Sequence, residues 1–338
     1  MEQRLVSVII CSWNRKDDIL ETLPSIYQQN YKNYEIIVVD NGSTDGTVDV
    51  LRAEHPTVRI VALEENLGPT GGRNAGIHVA KGEVLFFLDS DANLLADTLE
   101  KVVERIERDP KIGVISCNVI NEDPNEKTGW SFNFKKGREK EFCSFAFGEA
   151  GFATRAEIFV KAGLFWEFLF YGREGEELGV RVWDAGYKIL YFPDAIVHHR
   201  ASPKTRVIGS KREFFDLRNC YYIYLTRYPW WMMPRFLFMK TGTAIIRGIY
   251  RRNIHETVFP AWWAILQNFG ELRRQRSPIS NDTARQYMAL LKDHGPLSWT
   301  LSSWLKLKLR PASAEMISAV NPDTVVKPDT GQEVPSHS

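Results

Sequence analysis

Two aspartates one residue apart, Asp89 and Asp91, follow directly on an apolar run, Val84-Leu85-Phe86-Phe87-Leu88. At the carboxyl end of a strand such a pair can share a hard divalent cation, which prefers oxygen ligands and bridges to substrate phosphates. Taken alone, Asp89-Ser90-Asp91 is also an ordinary solvated turn. Asp40 ends a second apolar run, 35–39, and should open onto the same edge. An acid there can accept hydrogen bonds from a nucleobase or ribose, or begin the Asx-turn that Asn41-Gly42 favours. Between the two lies Gly68-Pro69-Thr70-Gly71-Gly72-Arg73-Asn74-Ala75-Gly76. Its glycines let backbone pass close to a ligand, and Arg73 offers a planar fork suited to phosphate.

Further along, Glu174, Glu176 and Glu177 put three like charges into four positions. Such crowding makes one of them a reluctant acid, the property of a general base, unless the three simply complement a helix N-terminus. His198-His199, after a strand-like run, is a source of a metal ligand or an ordinary histidine pair.

An alternation of strands and helices positions these groups. Residues 6–10 are a β-branched run ending at Cys11-Ser12-Trp13-Asn14, and a helical pattern follows with Ile19, Leu20, Leu23 and Ile26 on one face. The run 35–40 is continuous enough for a strand buried on both faces; 41–46 is turn chemistry, and 47–51 enters a helix. Residues 58–63 and 84–88 read as further strands, separated by the glycine-rich segment and a helix ending near Gly82. This pattern predicts an α/β fold with a doubly wound, mostly parallel sheet flanked by helices. No GxGxxG follows the first strand, which argues against a nicotinamide enzyme. After Pro110 the expected elements are a strand over 112–117, a polar loop over 121–140, an aromatic, glycine-rich stretch over 142–151, helices over 155–162 and 178–185, and a strand over 187–192.

The composition is that of a folded protein: 338 residues, 44% hydrophobic, with 43 Lys and Arg against 42 Asp and Glu. Near-neutral charge argues against a dedicated nucleic-acid binder. Cys11, Cys117, Cys143 and Cys220 are far apart without a CxxC pair, so neither a disulfide framework nor a zinc site is expected. With no leader and no run of eighteen apolar residues, a cytoplasmic protein is expected. Residues 229–276 interleave Trp230, Trp231, Trp262 and Trp263 with Arg235, Arg247, Arg251, Arg252, Arg273 and Arg274. That suits either a helical segment lying in a membrane interface or a helical core or dimer face. Residues 297–310 repeat the theme, and 311–338, rich in Pro, Ser, Thr and Asp, reads as a disordered tail.

Taken in order, residues 6–14, Ile36-Ile37-Val38-Val39-Asp40-Asn41-Gly42-Ser43, Asn66-Leu67-Gly68 with Gly71–Gly76, Phe87-Leu88-Asp89-Ser90-Asp91, 171–181, Gly186-Tyr187, Tyr191-Phe192-Pro193 and His198 resemble the family 2 glycosyltransferases. Among these the chain is most similar to the rhamnosyltransferase-like members that build bacterial surface polysaccharides. The resemblance covers about residues 4–228. It implies a GT-A domain over 1–228, with a nucleotide-sugar-binding half (1–110) and an acceptor half (111–228); the composition leaves a helical, aromatic and basic region over 229–310. The resemblance further implies a nucleoside-diphosphate sugar donor (UDP or dTDP), a glycan or lipid-linked acceptor, Mn2+ or Mg2+, and inversion at the anomeric carbon. By position, Cys11, Trp13, Asn14, Asp40, Asn66, Gly72, Arg73, Asp89 and Ser90 fall among the nucleotide-sugar contacts. Asp89, Asp91 and His198 fall at the metal, with His199 one residue away. Lipid-linked acceptors would place the protein at the inner face of the cell membrane.

One departure stands out. The family's acidic motif reads Glu-Asp-x-Asp/Glu-Leu, with the Asp as base. Here it reads Glu174-Gly175-Glu176-Glu177-Leu178. Glycine at the base position leaves Glu174 or Glu176 as the expected base, Glu174 being favoured because it occupies the acidic half of the same motif, or else a non-catalytic relative that binds nucleotide sugar or glycan. A phosphohydrolase with Asp89 as nucleophile is disfavoured, since such enzymes place their aspartate pair after the first strand.

Overall fold

The apolar runs pair side by side because each is hydrophobic on both faces and needs cover on both. A computed structural model of the chain describes residues 3–122, 139–202 and 207–294. Strand β1 (Val6–Ser12) lies between β2 (Tyr34–Asp40) and β4 (Val84–Asp89), with β3 (Arg59–Ala62) outside β2. All three ladders are parallel, and their register sets Ser12 beside Asp40 and Cys11 beside Asp89. Helices α1 (Lys16–Tyr27), α2 (Thr47–Glu54) and α3 (Gly68–Val79) make the crossovers. The period of two divides the strands between two cores. Val8, Ile10, Val38 and Phe86 pack under α1, while Ile9, Ile37, Val39 and Phe87 face the other side. The chain moves outward from β1 in both directions, so the crevice between the carboxyl ends of β1 and β4 is the switch point where such sheets bind ligands.

The second half departs from a simple parallel pattern. Its elements are β5 (Ala92–Leu94), α4 (Thr98–Arg108), β6 (Ile112–Asn121), β7 (Phe142–Ser144), β8 (Gly151–Arg155), α5 (Glu157–Lys161), α6 (Glu174–Asp184), β9 (Lys188–His199) and α7 (Gly209–Arg227). Beyond β4 the sheet continues β8-β6-β9-β5, with β7 on β9. Only β6–β9 is parallel there. The aromatic, glycine-rich stretch thus supplies two short strands, and the helix expected from 155 begins at Glu157 because Arg155 still pairs with Val84. The strand expected over 187–192 runs on to His199, past an irregularity opposite Cys117 and Asn118. Residues 123–138 of the polar loop, the stretch 297–310 and the tail from 311 lie outside the described residues.

Helices α8 (Met233–Arg251), α9 (Ile254–Gln267), α10 (Phe269–Arg274) and α11 (Asn281–His294) pack onto α6 and α7. One cluster joins Leu217 and Tyr221 of α7 to Val258 and Ala261 of α9; another gathers Phe145, Tyr224, Tyr228, Phe236 and Tyr287. Among the described residues no helix is long and apolar enough to cross a membrane.

Candidate active site

A cleft of about 470 Å³ opens at the β1–β4 switch point. Its walls come from the turn after β1, the start of α3, the Asp89–Asp91 turn, the segment before β8, the entry to α6, the end of β9 and the first turns of α7.

The aspartate pair is split by its surroundings. Asp91 is 2% exposed, with Oδ2 taking Arg15 Nη1 at 2.7 Å and the Ser202 N–H at 2.8 Å. Burial alone would raise its carboxyl, but the His199 hydrogen bond and the Arg15 charge hold it below the usual carboxylate range. The Asp89 side chain is 36% exposed and faces the cleft, with Arg73 Nη2 3.3 Å from Oδ1. Desolvation raises its pKa, Arg73 opposes that, and the Asp91 charge adds to it. His199 Nε2 lies 3.3 Å from Asp91 Oδ1 and 3.9 Å from Asp89 Oδ2. One ligand atom from each of these three residues falls within 4.8 Å of the others. His199 Nδ1 meets Asn121 Oδ1 at 3.2 Å, an acceptor that calls for a proton on Nδ1 and leaves Nε2 facing the carboxylates. The histidine that joins the pair is therefore His199, not His198. Successive side chains of β9 point to opposite faces, so only one of the two can reach the aspartates. Sequence spacing could not choose between them without the strand's register.

Arg73 is 6% exposed and reaches across the cleft floor. It bonds Glu174 Oε1 at 2.9 Å and the Glu149 carbonyl at 3.1 Å, while its guanidinium lies 5.8 Å and 5.9 Å from the rings of Phe152 and Phe165. Cys11, Trp13, Asn66 and Ser90 line the cleft. Burial pushes the Cys11 thiol up to about 12 despite Arg73, so it stays protonated and unreactive. Trp13 is 37% exposed, an aromatic face open to a ligand. Asn66 Oδ1 accepts from Asn41 Nδ2 and the Gly68 N–H, which pins the start of α3 to the end of β2.

Three expected contacts are not brought to the cleft wall. Asn14, at φ 51°, accepts the Thr44 N–H and donates its own N–H to Ser43 Oγ, tying two turns together. Asp40 Oδ2 accepts the Ser43 N–H in the Asx-turn, while Oδ1 is buried without a partner. Gly72 is buried, and a Cβ there would stand 2.2 Å from Cys11 Sγ. It lets α3 seat directly on β1 and so carries Arg73 to the floor.

Each acid of the run meets an arginine, while Glu174 Oε2 is buried without a hydrogen-bond partner. Glu174 is 3% exposed against Arg73. Glu176 takes Arg173 Nη1 at 2.6 Å and the Tyr228 hydroxyl at 3.3 Å. Glu177 points away from the cleft into Arg181 and Arg227, whose charges overcome its burial and keep it ionised. Arg173, in the left-handed region at φ 70°, also reaches Asp216 of α7 at 2.6 Å. Asn219 Nδ2 donates to the carbonyls of Leu169, Tyr171 and Gly172, holding the loop that leads into α6. Asn219 thus places the loop, and Tyr221, Tyr222 and Tyr224 beside it are buried packing residues. Glu149, Arg15, Lys211 and Arg212 are among the cleft groups that the sequence motifs did not single out.

The architecture is that of the GT-A glycosyltransferases. The mannosyltransferase PcManGT from Pyrobaculum calidifontis, solved in complex with GDP-Man and Mn2+, superposes with a TM-score of 0.53 at 20% identity, over 91% of this chain and 79% of that one. The Glycosyl transferase family 2 profile matches residues 7–167. Glycosyltransferase AglE of Haloferax volcanii is 31% identical over 211 residues, 59% of this chain and 67% of its own. The chain belongs to glycosyl transferase family 2. The UDP-Glc:alpha-D-GlcNAc-diphosphoundecaprenol beta-1,3-glucosyltransferase WfaP of Escherichia coli is 44% identical over 89 residues, 26% of this chain and 35% of its own. Against three further curated relatives, two of them named for teichuronic acid and succinoglycan biosynthesis, the chain spans 34–41% of their length.

Proposed function

We propose that the chain transfers a sugar, with inversion, from a nucleoside-diphosphate sugar to a glycan or lipid-linked acceptor during surface-polysaccharide assembly. The observation that carries this is the convergence of Asp89, Asp91 and His199 at the β1–β4 switch point, beside the buried fork of Arg73. Two carboxylates and an imidazole suit Mn2+ or Mg2+, and ligand atoms within 4.8 Å of one another can surround one ion. A cation held there would neutralise the charge that builds on the departing diphosphate. The protein's own groups supply the rest. Trp13 offers a ring to the nucleobase, and Arg73 fixes the Asp89 side of the diphosphate site. The GDP-Man and Mn2+ of PcManGT, and the diphosphoundecaprenol-linked acceptor in the name of WfaP, support this reading. A UDP- or dTDP-sugar, rhamnose among the candidates, is the donor we favour.

The helical region exposes Trp230, Trp231, Phe238, Tyr250, Phe259 and Trp263 as well as Arg235, Arg247, Arg251 and Arg252, a composition suited to the anionic inner surface of a membrane. Gly175 favours a second reading, a relative that binds nucleotide sugar without turning it over; formation of a glycosylated product separates the two. The first test is calorimetric titration of UDP, dTDP, GDP and CDP, each with and without Mn2+ or Mg2+. Metal-dependent binding of one nucleotide is expected, and binding of none removes the donor site.

A further inference from the structure

Position 175 cannot carry a side chain on this backbone. A Cβ there would lie 2.5 Å from the Phe147 carbonyl oxygen and 3.3 Å from Glu149 Oε1. The space beside Gly175 is instead filled from the opposite wall by the Glu149 carboxylate, which accepts the Gly175 N–H at 3.0 Å. Glu149 precedes Ala150, whose carbonyl accepts the Asp89 N–H, so its backbone is tied to the aspartate turn. Among the described residues no cationic side chain reaches its carboxylate, whereas Glu174 and Glu176 are each paired with an arginine. Its side chain is half-buried and lines the cleft.

We infer that Glu149 is the catalytic base of this enzyme, supplying from the segment before β8 the carboxylate that Gly175 cannot supply from α6. The inference rests on the transferase reading above. Glu149 takes the proton of the acceptor hydroxyl as that oxygen bonds to the anomeric carbon. The bond from that carbon to the phosphate oxygen breaks, and its electron pair leaves with the nucleoside diphosphate. The groups facing Glu149 set its proton affinity. Burial raises it most and the Glu174 charge adds to this; Arg73 and the Gly175 N–H oppose it, and Asp89 adds a little, leaving it at about 8. That is close to the working pH, where a base combines availability with strength.

The test uses the full chain with the nucleotide that binds best and its sugar donor. It compares wild type, Glu149→Gln and Glu149→Asp for nucleotide affinity with Mn2+ and for nucleoside-diphosphate release with a polyprenyl-diphosphate-linked sugar as acceptor. Glu149→Gln is expected to keep affinity within about threefold and to lose turnover by about 10²-fold or more. Glu149→Asp, which keeps the charge, is expected to recover at least about tenfold over Gln. Turnover of Glu149→Gln near that of wild type overturns the assignment while leaving the transferase reading intact. Equal loss in both variants with affinity unchanged makes Glu149 a positioning residue and also overturns it. A wild-type chain that neither binds nucleotide nor releases it removes the transferase reading and this inference together.

Discussion

Replacing Glu149 by glutamine is expected to stabilise the metal-free chain, and to do so increasingly as the pH rises. The carboxyl is raised from 4.5 to about 8 in the folded state, first by burial and then by the Glu174 charge. A folded-state value above the unfolded one brings stability that is complete below 4.5 and is lost as the pH rises through about 8. For a single site the loss by pH 8 is about 4 kcal/mol. Glu149 is open on one side to the cleft, and water there screens the charge, so about 2 kcal/mol is the working figure. Glutamine keeps the oxygen that accepts the Gly175 N–H but does not titrate. The difference between variant and parent should therefore be near zero at pH 4.5 and grow to about 2 kcal/mol at pH 8. Urea unfolding with a chelator, at pH 5 and at pH 8, reads this as a midpoint difference that opens by about 1 M. Titrating groups away from the cleft contribute equally to both chains and cancel, so what remains belongs to Glu149 and the neighbours coupled to it. Midpoints that move in parallel across this range would refute the account of an ionised carboxyl confined beside Glu174.

Three further outcomes are expected. His199→Ala should weaken Mn2+ binding by about tenfold or more, measured calorimetrically, while His198→Ala leaves it within about threefold, because only His199 meets Asp89 and Asp91. Gly175→Asp should not raise turnover despite restoring the family's acidic residue. The 2.5 Å contact with the Phe147 carbonyl forces the backbone to shift, at a stability cost of about 1–3 kcal/mol in chemical unfolding. Asn219→Ala strips one amide from the carbonyls of Leu169, Tyr171 and Gly172, which should cost about 1–3 kcal/mol and increase proteolytic cleavage in the loop 169–173.

The first half of the fold was legible because its information is local. Continuous apolar runs, each closed by Asp40 or by Asp89, announce parallel strands and place their last residues on one edge. The second half was not, because β7 and β8 are three and five residues long and owe their existence to partners distant in sequence. Arg155, for example, pairs with Val84. The site shows the same division. Arg73, Asp89 and Asp91 sit where their motifs say. The choice of His199 over His198 needs the face of a strand, which no spacing reveals. Gly72 is a packing glycine, a role visible only once Cys11 is seen against it. Glu149 had no signal of its own within Phe147-Gly148-Glu149-Ala150; Gly175 was the only hint, since a missing acid invites a search for its replacement.

The chain of ion pairs from Glu176 through Arg173 and Asp216 to Lys240 runs from the cleft into α8. Its consequence is for modularity. Consider a fragment or chimaera cut near 228, at the end of α7. That cut would remove Lys240 from Asp216, and Tyr287 from the Tyr228 hydroxyl that itself touches Glu176. The helices beyond 228 are thus part of the foundation under the cleft wall, and a graft that exchanges them for those of a relative exchanges part of the cleft's support with them.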